Sequence, residues 1–152
     1  MTEDDEGIIT RSITTLLARR EHSQVEIVRK LQAKGFSVSL IEQQLAKFSA
    51  KGIQSDSRFC EALIRSRVSK GQGELRIRAE AREHQLDDAE INAQLRELNV
   101  DWFALACQVR EKRFGPALPD DWQDSQKQLR FLAYRGFTHE QCQHAVSYHP
   151  TD

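Results

Sequence analysis

The stretch "QAKGFSVSLIEQQL", Gln32 to Leu45, is answered about a hundred residues later by "AYRGFTHEQCQHAV", Ala133 to Val146. Both run basic residue, Gly, Phe, hydroxyl residue, and then an apolar-spaced segment ending on an aliphatic side chain. Each part has a mechanical meaning. A helix closing at Lys34 needs a C′ residue that accepts the left-handed conformation, and glycine does so without a Cβ penalty. Phe36 can then fold back on the last turn, and Ser37 can cap the next helix. Arg135, Gly136, Phe137 and Thr138 repeat the device.

With Gly35 as the ruler, a shift of 101 positions lands on Gly136, sets Leu31 on Leu132, Ile41 on Cys142 and Leu45 on Val146. A shift of 50 positions finds a weaker copy in which Ile27, Ile41 and Leu45 fall on Ile77, Ile91 and Leu95. Gln85 replaces the glycine there, which predicts a strained or differently shaped junction. Three units at this period predict an array, because one such unit cannot bury its apolar face alone.

Each unit carries a further helix upstream, expected from about Ile8 to Arg20, Asp56 to Ser69 and Asp101 to Arg113. Ser23 with Glu26, and Asp87 with Glu90, have capping-box spacing. Asp56 is the expected cap of the second upstream helix. The loop "FGPALPDD" makes the third unit about seven residues longer. No segment reads as a strand. The expected fold is all-α, an elongated array of three tandem three-helix repeats spanning residues 1–54, 55–99 and 100–152.

Composition narrows the function. Charged residues make up 30% of 152 residues while the formal net charge is -1, so no global field marks a nucleic-acid binder. The acidic "MTEDDEG" start is unlike a secretory signal, and no apolar stretch approaches the length of a membrane span. A cytoplasmic monomer without cofactor or metal is expected. Cys60, Cys107 and Cys142 form no C-x-x-C pair, which disfavours a disulfide scaffold or zinc knuckle. His139, Cys142 and His144 lie close in sequence, but Cys142 holds the core register of Ile41. "KGQGELRIR" lacks the spacing of a phosphate-binding loop. No catalytic constellation is evident.

Charge is concentrated in the centre. Arg58, Arg65, Arg67, Lys70, Arg76 and Arg78 fall in one unit against few carboxylates, and are the candidate partner-binding residues. The helix that bears the first three also shows two apolar faces, Phe59, Ala62 and Leu63 against Cys60, Ile64 and Val68. It is therefore expected to be packed on both sides.

"SDSRFCEALIRSRVSKGQGELRIRAEA", Ser55 to Ala81, resembles the signature of the RecX family, bacterial modulators of the RecA recombinase. The matching positions are Asp56, Ser57, Arg58, Phe59, Arg65, Ser66, Arg67, Lys70, Gly71, Gly73, Arg76 and Ile77. "REKRFG", Arg110 to Gly115, and "KQLRFLAYRGF", Lys127 to Phe137, are similar to the family as well. Glu74 stands where the family often has Pro, and Ala81 where it has Leu. The resemblance implies a non-enzymatic protein of tandem three-helix repeats. It would lie in the groove of the RecA filament on single-stranded DNA and restrain ATP hydrolysis, strand exchange and the co-protease activity behind the SOS response. The basic centre keeps a rival reading open, a helical module that binds nucleic acid directly.

Overall fold

The structure is a computed structural model that describes residues 2–147, with side chains from residue 4. Among the described residues there are nine helices and no strand. The first module holds α1 (Thr2–Arg19), α2 (Gln24–Ala33) and α3 (Val38–Ala50). The second holds α4 (Asp56–Ser69), α5 (Glu74–Glu83) and α6 (Asp88–Leu98), and the third α7 (Trp102–Phe114), α8 (Trp122–Tyr134) and α9 (His139–Ser147). The helix pairs in extensive contact all lie within a module, and each module has its own apolar core. The chain exposes 9384 Å², against roughly 7,900 Å² for a compact monomer of its mass. The array is elongated.

The register read from the period is the register of the cores. Ile27 and Ile77 are fully buried, as are Ile41 and Ile91 with Cys142 nearly so, and Leu45, Leu95 and Val146 are buried too. Ala81 occupies the seat that Leu31 and Leu132 fill in the outer modules, and all three are fully buried.

The turn between the last two helices of each module follows the predicted mechanics. At Gly136, φ is +102°, the Gly136 amide donates to Ala133 O at 3.0 Å, and the Phe137 amide to Leu132 O at 3.2 Å. Thr138 and Gln141 then cap each other's amides at 3.2 and 2.9 Å. Gln85 makes the same turn with φ +57°, its amide on Arg82 O and the Leu86 amide on Ala81 O. The middle junction is thus strained, not reshaped.

Several local expectations need correction. The first helix begins at Thr2 rather than near Ile8, so the acidic "TEDDE" segment is its opening turn. The carboxylates of Asp4 and Asp5 suit the positive end of the helix dipole. Ser55, not Asp56, caps α4 by accepting from the Arg58 amide. The capping boxes at Ser23 and Asp87 are half-built. Each cap accepts an amide, while Glu26 pairs with Arg20 and Glu90 accepts from Gln94. On α4, Phe59, Cys60, Leu63 and Ile64 share one core, and Ala62 is exposed, so the helix is not packed on two sides.

The modules join in two different ways. Between the first and second the contacts are polar. The Gln24 amide donates to Asp56 Oδ1 at 2.9 Å, and Ser23 Oγ lies 2.7 Å from His84 Nδ1. Buried Gln54 donates to His22 O at 3.1 Å and to Asp56 Oδ1 at 2.9 Å. Burial holds the pKa of His22 below its ordinary value.

The second junction is backbone on backbone. Helix α5 has no side-chain cap; Gly73 stands at the N-cap position with φ −84°. Its amide donates to Arg135 O at 2.8 Å, and the Leu75 amide to Gly136 O at 3.0 Å. The orphan donors that open α5 are therefore satisfied by carbonyls of the turn that closes α8. The negative end of one helix meets the positive end of the other. A Cβ on Gly73 would lie 2.4 Å from the Gly136 carbonyl carbon, and a Cβ on Gly136 2.4 Å from Arg76 Cβ. Trp102 packs against both the second and third cores.

Two outcomes are expected. Gly73→Ala, at a φ that any residue adopts, should destabilise by about 1–3 kcal/mol through overpacking of this junction. An unchanged thermal unfolding curve would remove the junction's steric constraint. Gln85→Gly should stabilise by about 0.5–1 kcal/mol, since the left-handed strain exceeds the added chain entropy. A lower melting temperature would contradict the strain.

Candidate partner-binding surface

The arginines of the central unit are mostly engaged within the chain. Arg58 donates to Glu21 at 3.0 Å and to the carbonyls of Gly52 and Ile53, which ties the linker and the first module together. Arg65 pairs with Glu61 one turn away at 3.2 Å. Arg67 grips Glu80 with two bonds of 2.8 and 2.7 Å, joining α4 to α5. Arg78 is held by Glu74 at 2.8 Å and Asn92 at 2.7 Å. Arg76 reaches across the second junction and lies over the Tyr134 ring at 5.2 Å. Glu21 and Glu80 come back from a distance beside Arg58 and Arg67, and Glu61 and Glu74 stand one turn from Arg65 and Arg78, so these four arginines are not short of partners.

Lys70 is different. It is exposed, and its carbonyl accepts from Arg135 of the third module. Here the end of α4 meets α7 and α8 in an open groove with Lys70, Lys112, Arg113 and Arg135 along its edges. Its floor is Val68, Leu105, Val109 and Phe131, and no carboxylate lines it. The Phe131 ring carries two guanidiniums, Arg113 at 5.5 Å and Arg135 at 5.8 Å. Arg135 Nε is buried without a hydrogen-bond partner. Lys112, Arg113 and Arg135 were not legible as site residues, since their relation to Lys70 exists only once the two modules dock.

A second cleft, between the first and second modules, mixes signs. Arg20, Arg67 and Lys70 line it with Glu21, Glu26 and Glu80. The hydrogen bond from Arg67 holds the Glu80 carboxyl below its ordinary range. Burial pushes the Glu26 carboxyl up, but the hydrogen bond from Arg20 and the charges of Arg20, His22 and Lys30 together hold it below its ordinary range.

The cysteines belong to the packing. Burial raises the Cys60 thiol to about 11 and pushes Cys107 and Cys142 upward as well. Cys142 faces Phe137 O inside the third core, and His144 packs edge-on against Phe103. Among the described residues no group of three or more His, Cys, Asp or Glu side chains gathers as metal ligands would. No helix among them is long and apolar enough to cross a membrane. In the third module, Arg110 is buried and donates to Pro116 O, Ala117 O and Gln128, which pins the Pro-rich loop. Trp122, beside that loop, is 74% exposed.

The three modules match three family descriptions in order. These are "RecX, first three-helix domain" over residues 14–48, the second over 55–95 and the third over 99–146. "Regulatory protein RecX" of Pseudomonas entomophila (strain L48) is 42% identical over 132 residues, covering 87% of this chain and 85% of that protein. The chain belongs to the RecX family. Its RecX relative from Halorhodospira halophila (strain DSM 244 / SL1) is 39% identical over 87% of this chain and 82% of its own. The RecX crystal structure from Lactobacillus salivarius shares the fold with a TM-score of 0.74 at 17% identity, over 95% of this chain and 96% of that one. Another, titled "Crystal structure of regulatory protein RecX", gives 0.77 at 18% identity over 95% and 72%.

The Arg67–Glu80 pair yields a pH prediction. Because the folded carboxyl is depressed, its stabilisation is present above the ordinary value of 4.5 and fades as pH falls through the folded value. Glu80→Gln should therefore cost about 0.5–1 kcal/mol at neutral pH and nothing in acid below both values. Equal losses at both pH values, by denaturant unfolding, would contradict the assignment.

Proposed function

We propose that the chain is a non-enzymatic regulator that lodges on the RecA nucleoprotein filament on single-stranded DNA. There it restrains ATP hydrolysis, strand exchange and the co-protease activity that triggers the SOS response, acting in the cytoplasm as a monomer. The relatives' common description as regulatory proteins supports the regulatory role. The observation that carries a filament-sized target is the shape. An elongated array with a mixed-charge cleft at one junction and a basic groove at the other offers contacts spread along its length instead of one pocket. Placed across several filament subunits, each weak contact raises the effective concentration of the next.

Of the six central basic residues, Lys70 and Arg76 carry the reading furthest, since no carboxylate holds either in a salt bridge and both stand at the second junction. Arg65 is exposed with only a helix-surface partner, and Arg58, Arg67 and Arg78 would act chiefly by keeping the modules in place. A second reading is favoured by the same groove: four cations without a carboxylate could also take the phosphates of DNA directly.

The test is RecA-dependent ATP hydrolysis on single-stranded DNA with substoichiometric amounts of the protein. The parent should slow hydrolysis. Lys70→Glu with Arg76→Glu, shown by circular dichroism to be folded, should weaken inhibition about tenfold and flatten its salt dependence. A parent protein without effect on hydrolysis contradicts the function. A folded double variant that inhibits like the parent at low and high salt contradicts these contact residues.

A further inference from the structure

The groove between the second and third modules has the form of a receptor for a short helix. Leu105, Gln108, Val109, Lys112 and Arg113 follow one another at helical spacing along one face of α7, a run of roughly 12 Å. Val68 and Phe131 add apolar lining from α4 and α8, and Lys70 and Arg135 add cations from the ends of the same two helices. Such a section, apolar along the middle and positive at the edges, complements an amphipathic helix with aliphatic residues on its buried face and carboxylates beside them.

The positive charge is gathered against its own repulsion. Arg113 and Arg135 share the Phe131 ring, Arg135 keeps a buried Nε without a partner, and none of the lining residues is acidic. Arg58, Arg65, Arg67 and Arg78, by contrast, are met by Glu21, Glu61, Glu80 and Glu74. Four cations brought into one groove with no acidic lining residue make a place where an external anion completes the surface. The lining favours peptide over nucleic acid. Phe131, its one aromatic residue, is already engaged by two guanidiniums and by the Phe114 ring, and a single aromatic side chain makes no platform for successive bases. The exposed Trp122 and Tyr134 lie outside it.

We infer that this groove binds an acidic, aliphatic-rich helical segment of a protein partner. The inference rests on the filament reading and sharpens it, because the segment would belong to the filament protein rather than to its DNA. Floor contacts supply affinity, and the four cations select the acidic segment and fix its register.

A benzophenone amino acid installed at exposed Gln108 tests this. The substituted protein is first checked for inhibition of RecA-dependent hydrolysis, then irradiated on the filament, and the crosslinked product is sequenced. The expected product is a RecA peptide of net negative charge carrying aliphatic residues. Lys112→Glu with Arg113→Glu, on a chain shown to be folded, should reduce its yield about tenfold. Crosslinks to DNA, to a neutral or basic peptide, or none from a protein that still inhibits would overturn the inference while leaving the filament reading intact. An unsubstituted parent that neither inhibits nor binds the filament overturns both, and does so before irradiation.

Discussion

The contact on which the rest depends is the meeting of Gly73 with Gly136. Two amides at the start of α5 find their acceptors at the end of α8, over sixty residues along the chain. This is helix capping carried out between modules. It is possible only because neither position has a Cβ, since either one would fall 2.4 Å from an atom of the opposing module. Carbonyls that α8 leaves over and amides that α5 leaves over satisfy each other, so neither module is complete alone. Arg76 over Tyr134, Arg135 on Lys70 O and Trp102 between two cores follow from the same approach.

The two junctions have different physical characters. At the second, backbone bonds and an aromatic side chain fix position within narrow limits. At the first, His22, Ser23 and Gln54 are buried polar groups partnered by side chains and by the carbonyls of Arg20 and His22. Polar networks of this kind are specific when satisfied and costly when broken. A regulator that spans several subunits of a target can use both, one joint to hold a surface in shape and another to set the angle of its arm.

Much of the fold was legible because repetition exposes register. The residues that line up at shifts of 50 and 101 positions, Ile41 with Ile91 and Cys142 among them, are the buried seats of three separate cores. Caps were legible to within a residue. Ser55 rather than Asp56 closes the turn at α4, because a hydroxyl one place earlier reaches the same amides. The role of Gly73 was not legible. Its φ is ordinary, and the reason for glycine is a chain segment that no local pattern reveals. The site suffered the same limit. Counting arginines along the sequence finds the basic unit, but Glu21 and Glu80 neutralise parts of it from a distance. Lys70 gains its companions Lys112, Arg113 and Arg135 only through docking.

The central claim is that the third module caps α5 and so locks the two modules into one surface. Residue-resolved hydrogen exchange of the native protein reads it directly at the amides of Gly73 and Leu75. Amides in the first turn of a helix ordinarily exchange freely, for they lack intrahelical acceptors. Docking predicts that both are protected to the level of interior helix amides such as Ile77. Exchange of Gly73 and Leu75 at the rate of an unfolded chain, with Ile77 still protected, would show an uncapped helix and contradict the account.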